Sequence, residues 1–446
     1  MSFSSRMFQF KYSDVLNIGL TWLVFTSTVP FVFHLAIPNH PYKNLVALGM
    51  VVMLLRMLLY GRLRLGDPVI SWIILLQAEY SGIAIILQGV FGYDLDFAYF
   101  SLALQFLSVW ITYVYLNTFS SIDKVAKSFL YIMGAMAIFG VIVFFLCGFG
   151  LLSPFSEFAN SDGRIAQNYI IQFTNHVVDL GGASFVRVAG FFDEPGTFAY
   201  YITYALLVNK IYGYSRRLEL VLVVGGLFTW SLAFFVTIII YYIAFYLRVN
   251  NLKNNLFKWI VLLTVFVALF IYIDFSENES PLVKAIVFST VDRLAAPTAG
   301  GPAIVTGDSR TGLLIGVWSV FIESPVIGYG FIPKNYIASK YGIESFLEFG
   351  HPIVYHGLLG SLVFFALFWY WSVLILKRDF DRVMLGAWLI VFVNYLQRPV
   401  AFGGGLANFL LVFLIHATIS RQPSASSHKR AFKFQRCKHE SDPGLL

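Results

Sequence analysis

The chain has 446 residues, of which 58% are hydrophobic, 18% aromatic and only 12% charged. Soluble globular domains carry about 25% charged residues, so this composition excludes a set of soluble domains. It leaves room for roughly a dozen membrane spans of about 20 residues each. The formal net charge of +7 gives no indication of a nucleic-acid partner, because the basic residues segregate by side of the membrane.

Taken in chain order, the apolar runs predict spans at 15–37, 42–60, 69–91, 97–116, 128–150, 196–213, 218–231, 232–247, 257–274, 352–376, 383–397 and 401–419. The first run is too long for a signal-peptide core and lacks a small-residue cleavage site, so it stays as a span. The run 218–247 is long for one crossing and reads as two short helices meeting near Thr229, Trp230 and Ser231. The run 311–322 is too short to span and stops at Pro325; it reads as a surface or re-entrant helix. With the N-terminus inside, twelve crossings place 22 of the 31 basic residues on the cytoplasmic side, as the positive-inside rule requires. Seven of the other nine fall in two long outer loops, where that rule has little force.

The expected fold is therefore an all-α polytopic integral membrane protein of about 12 transmembrane helices, with both termini cytoplasmic. Residues 1–420 form one helical bundle and 421–446 a cytoplasmic disordered tail. Cys147 and Cys437 fall on opposite sides, which excludes an intrachain disulfide. No internal repeat and no metal-ligand spacing is present, and no cofactor is expected.

The periplasmic loops 151–195 and 275–351 hold the only polar stretches large enough to build a site, and loops of that length usually carry function. The first ends in Arg187, Gly190, Asp193, Glu194, Pro195 and Gly196. Pro195 suits the first helical turn, which puts Glu194 at the cap position, although Glu is not a favoured cap. Arg187, beside a helix N-terminus, has no dipole to satisfy, so it is a candidate for binding an anionic substrate. Asp193 reads as a local cap or a partner for Arg187.

The second loop carries Arg293, then a small-residue segment at Pro297, Gly300 and Gly301, then Ser309, Arg310 and Trp318. A turn-rich segment with Pro325, Gly328, Tyr329 and Gly330 follows. The loop closes at His351, with His356, Gly357 and Gly360 just inside the next span. A lone histidine is more often a satisfied hydrogen-bonding group than a catalyst. Three arginines converging on the same side make His351 the better candidate base, with His356 as its control.

Arg398, flanked by Pro399 and the glycines 403–405, can reach the same cavity, since broken apolar helices line protein or a cavity. Glu79, mid-span, is expected to face a partner inside the bundle. Arg56 is expected to snorkel to the inner surface.

These residues resemble the O-antigen polymerase and ligase superfamily of bacterial envelope glycosyltransferases (Wzy and WaaL types). The matching pieces are Arg187 with Gly190 to Gly196, Ser309 and Arg310 with Trp318, Pro325, Gly328 and Gly330, and His351 with Gly357 to Gly360. The form around Asp193, Glu194 and Pro195 is closer to the polymerases. The interval from His351 to the glycine segment is shorter than the usual pattern, and the repeated arginine-to-glycine motif of some polymerases is missing. Individual assignments therefore stay open among His351, His356 and Glu194.

The resemblance implies an O-antigen polymerase in the bacterial inner membrane. It would join undecaprenyl-diphosphate-linked repeat units without metal or nucleotide, at a site facing the periplasm. Its implied catalytic residues are His351 and Glu194, with Arg187, Arg310, Arg398, Arg293 and His356 holding the diphosphate and substrate. Its implied partners are the lipid-linked glycan, membrane lipid and a chain-length regulator protein. The alternatives are an O-antigen ligase acting on lipid A–core and, from another class, a secondary transporter. A transporter would call for ionisable groups near the midplane and repeated halves.

Overall fold

The structure is a computed structural model that describes residues 12–26, 42–90, 97–159, 165–170, 172–174, 177–180, 183–192, 194–246, 310–326, 328, 350–377, 382–397 and 405–420. Helices dominate. In chain order they are α1 (Tyr12–Thr26), α2 (Tyr42–Tyr60), α3 (Pro68–Val90), α4 (Phe97–Thr118) and α5 (Ile122–Gly148). After a strand-bearing loop come α6 (Pro195–Tyr212), α7 (Arg216–Leu227) and α8 (Leu232–Tyr246). The described C-terminal part holds α9 (Arg310–Glu323), α10 (Gly350–Phe364), α11 (Ala366–Leu376), α12 (Arg382–Gln397) and α13 (Gly405–Ser420).

Three stretches, Pro68–Ile86, Phe100–Thr118 and Ile122–Gly148, are long and apolar enough to cross a membrane. The segments Ile353–Phe364 and Ala366–Leu376 make a fourth if taken together across their 41° bend. The two segments and their bend cover the run expected as a span over 352–376. Shorter apolar helices stand at Asn44–Tyr60, Ala233–Tyr246, Arg382–Leu396 and Gly405–Ser420. The expected span 257–274 and the tail lie outside the described residues.

The helix α6 is central. It packs on α5, α7, α8, α12 and α13, and 15 of its 18 residues are buried, so it has no lipid- or water-facing side to speak of. Close crossings depend on small residues, as between membrane helices generally. A Cβ on Gly225 of α7 would stand 2.4 Å from the Ala137 Cβ on α5.

Polar pins hold the ends of the bundle. Arg56 of α2 does not simply extend outward: its Nη1 donates to Asn17 Oδ1 (2.8 Å) and to the Tyr115 hydroxyl, with its guanidinium over the Phe119 ring. Asn17 in turn donates to Ser121 Oγ at 2.8 Å, and Lys124 pairs with Asp14 at 2.7 Å. A half-buried guanidinium needs acceptors in place of the water it loses, and α1 and α4 supply them. Glu79 lies on the exposed side of α3, not in the bundle interior. Among the described residues the buried carboxylates are instead Asp14 of α1 and Glu219 of α7; Glu219 accepts from Tyr241 and Tyr246 (both 2.6 Å) and lies 3.6 Å from Lys210.

The 151–195 loop departs from the all-α expectation. It holds β1 (Ser156–Ala159), β2 (Ile165–Asn168) and β3 (Phe173–Thr174) in one antiparallel sheet of that order. A separate hairpin pairs β4 (Val177–Leu180) with β5 (Ala183–Val186). These strands are only two to four residues long, too short for alternation to stand out against an apolar background. Side chains fix the first register: Gln167 donates to Glu157 (2.7 Å) and Asn168 to Ser156 (3.0 Å) across the β1–β2 pair. The loop is seated on α5 by an apolar cluster of Val143, Cys147, Tyr169 and Val186. Burial there raises the Tyr169 phenol above its ordinary pKa, and the Cys147 thiol adds to the shift.

Candidate functional site

Two junctions carry the residues singled out by sequence. The first surrounds the start of α6. Pro195 is its first residue, and Glu194 is its N-cap in an extended conformation with no side-chain cap hydrogen bond. The expected cap position is therefore observed. The carboxylate is half-buried and accepts from the Thr197 hydroxyl at 3.5 Å. Upstream, Gly190 takes a left-handed conformation (φ 60°) where a Cβ would meet Met136 and Phe198 at 3.2 Å. Its carbonyl accepts from Phe173 of β3 at 2.7 Å. Phe192 stacks on Tyr201, centroids 4.8 Å apart. Two segments on either side of Asp193 are thus anchored by backbone and ring contacts.

Arg187 has a dipole to satisfy after all, and it belongs to another helix. The chain breaks between α7 and α8 at the predicted place, with Trp230 left-handed (φ 49°). Carbonyls near the end of α7 are orphaned by such a break. Arg187 Nε donates to the Thr229 carbonyl (2.9 Å) and its Nη2 to that of Trp230 (3.0 Å). The Val188 amide takes the Phe228 carbonyl at 3.1 Å. Arg187 is 6% exposed. Its first duty is to join the outer loop to the α7–α8 break, a role invisible in a sequence where these residues stand 42 positions apart.

The second junction joins α9 to α10. The helix α10 departs from helical geometry at Gly357 (φ 57°, ψ −160°). The turn after α9 fills the break: the amides of Leu358 and Leu359 donate to the carbonyls of Pro325 (2.9 Å) and Val326 (3.1 Å). Gly328 (φ 68°) lies against the same point, and a Cβ there would come within 2.3 Å of the Gly357 nitrogen. Ser324 closes the turn by donating to the Gly328 carbonyl at 2.9 Å. Two glycine-bearing segments that sequence presents separately are one interlocked unit.

Arg310 is the first residue of α9, and His351 lies in the first turn of α10. His356 is buried, with its ring 4.6 Å from that of Phe364 and edge-on to Tyr80 at 5.5 Å. His356 has the surroundings of a packing group. Asp193, Arg293 and Arg398 lie outside the described residues. The elements α9 and α10 pack on each other and α10 on α3, whereas α6 packs on α5, α7, α8, α12 and α13.

Sequence reasoning passed over two buried amides. Gln172, fully buried against Gly140, has neither side-chain atom hydrogen-bonded among the described residues. Asn394 Nδ2 is likewise unsatisfied among the described residues and lines a small gap of about 10 Å³ beside Gly196, Tyr200 and Thr203. No pattern in an apolar sequence marks either one. Among the described residues, no three His, Cys, Asp or Glu side chains converge as a metal site. Comparison with protein-family models, with curated proteins and with solved structures returned no match.

Proposed function

We propose that the chain is a polytopic glycosyltransferase of the bacterial inner membrane, an O-antigen polymerase. It would extend undecaprenyl-diphosphate-linked oligosaccharides at the periplasmic ends of twelve spans. The observation that carries this reading is the interlock of the Pro325–Gly328 turn with the Gly357 break. Two pieces of an ordered motif set, some 30 residues apart in sequence, share one rigid piece of architecture. A second support is Glu194, an acid at the N-cap of a helix that has 15 of its 18 residues buried.

In this reaction the acceptor hydroxyl gives its proton to a base, Glu194 or His351. Its oxygen bonds to the anomeric carbon as the bond from that carbon to the phosphate oxygen breaks. The carrier diphosphate leaves with the electron pair. Without a metal, arginine forks are the suitable partners for that developing charge; Arg310, Arg293 and Arg398 fit this role. Removing one such donor typically costs about 10²–10³ in rate. Arg187 contributes through the α7–α8 junction at least as much as by direct contact.

The test is chain extension by purified protein on a synthetic lipid-diphosphate oligosaccharide, with substrate binding scored separately. Glu194→Gln or His351→Gln should abolish extension and spare binding. Full extension by both variants removes these two as bases, and no extension by the wild-type chain overturns the reading.

A further inference from the structure

The end of α5 opposite the β-strands carries a polar cavity. At about 1.5 Å per residue, the 27 residues of α5 separate it from the outer loop by roughly 40 Å. Its volume is about 500 Å³, within the range of about 300–1,000 Å³ typical of small-ligand sites. Arg64, Asn117, Ser120, Asp123 and His416 bring the polar groups to its wall.

The wall is built in advance of any ligand. The Arg64 amide donates to Thr118 Oγ1 at 3.1 Å. Gly66 (φ 70°) presses the α2–α3 loop so close to α4 that a Cβ would stand 2.5 Å from Asn117 Nδ2. Asn117 is held by its own bond to the Tyr113 carbonyl (2.8 Å). Ser120, left-handed at φ 52°, closes the α4–α5 turn, and the Asp123 carbonyl accepts from the Tyr214 hydroxyl at 3.2 Å.

Within this frame stand one guanidinium and one carboxylate, and among the described residues neither Arg64 nor Asp123 is in an ion pair. The neighbouring Lys124 is paired with Asp14. A cavity with one unpaired charge of each sign is complementary to a zwitterion. Leu65 and Leu116 add apolar wall, and Leu59 and Leu63 stand exposed on the neighbouring segment, as befits a ligand with an attached hydrocarbon part. We propose that this cavity binds the zwitterionic headgroup of a phosphoethanolamine lipid, its phosphodiester on Arg64 and its ammonium on Asp123.

The experiment is native mass spectrometry of the full chain, delipidated in detergent and titrated with phosphatidylethanolamine or phosphatidylglycerol of identical acyl chains. The wild-type chain should prefer the ethanolamine lipid by about tenfold, the value of one charge-assisted hydrogen bond. Asp123→Asn should bring the two lipids to parity. Arg64→Ala should weaken both by about tenfold, while Arg62→Ala, outside the cavity wall, should leave both unchanged. Competition by millimolar glycerophosphoethanolamine would assign the site to a soluble headgroup, and lack of competition to the lipid. Equal affinity of the wild-type chain for both lipids, or an unchanged preference in Asp123→Asn, overturns the proposal. None of these readouts involves glycan transfer, so they stand or fall apart from it.

Discussion

Gly357→Ala isolates the junction between α9 and α10. A Cβ at this position would lie 2.5 Å from the carbonyl carbon and oxygen of Val326 and 2.6 Å from the Gly328 nitrogen. All three are backbone atoms, so no side chain can swing aside. The conformation itself, φ 57° with ψ −160°, is one that residues other than glycine adopt at a cost of about 1–3 kcal/mol. Overpacking adds about 1–3 kcal/mol, and losing the two amide bonds to Pro325 and Val326 adds about 0.5–1.5 kcal/mol each. The total, roughly 3–9 kcal/mol, exceeds what a local contact between two segments can absorb, so the turn should leave the break while the bundle persists. In hydrogen–deuterium exchange, the amides of Leu358 and Leu359 should lose protection by about 10²–10⁶-fold, at about 1.4 kcal/mol per tenfold. Gly328→Ala should give the same pattern, and the double variant little more, because both open one junction. Gly82→Ala is the control, since nothing stands within 4 Å of its added Cβ. Unchanged protection at 358 and 359 in Gly357→Ala would refute the interlock.

Two further outcomes are expected. Arg187→Ala removes both donors to the carbonyls of Thr229 and Trp230 and should destabilise the chain by about 1.5–3 kcal/mol. Lys, which lacks the planar fork, should recover less than half of that in thermal unfolding, and full stability of the Ala variant would show that the junction does not depend on this side chain. Cysteines at Ser161 and Ser345 in a Cys-free background should both label with a membrane-impermeant thiol reagent in intact spheroplasts; protection of either would separate the two loops that the proposed site requires on one side.

Much of the helical layout was already written in the chain. Apolar runs bounded by charges and prolines give α2, α3, α4, α6 and α12 to within a residue or two, because a span is a local property of about 20 side chains. The α7–α8 break and the capping position of Glu194 are local in the same sense: each rests on a few adjacent residues with strong backbone preferences. Partnership is another matter. That Arg187 would satisfy the end of α7, that Arg56 would sit among Asn17 and Tyr115, and that Glu219 would be buried while Glu79 is exposed all depend on which helices become neighbours. A composition of 58% hydrophobic residues lets many faces pack equally well, so it does not encode that choice. The short strands of the outer loop fall to the same limitation, since their register is set by pairing and by the seat on α5. The glycines at 328 and 357 announce unusual backbone in the sequence; only the tertiary structure decides that they meet, because close backbone approach is a property of two segments and not of either alone.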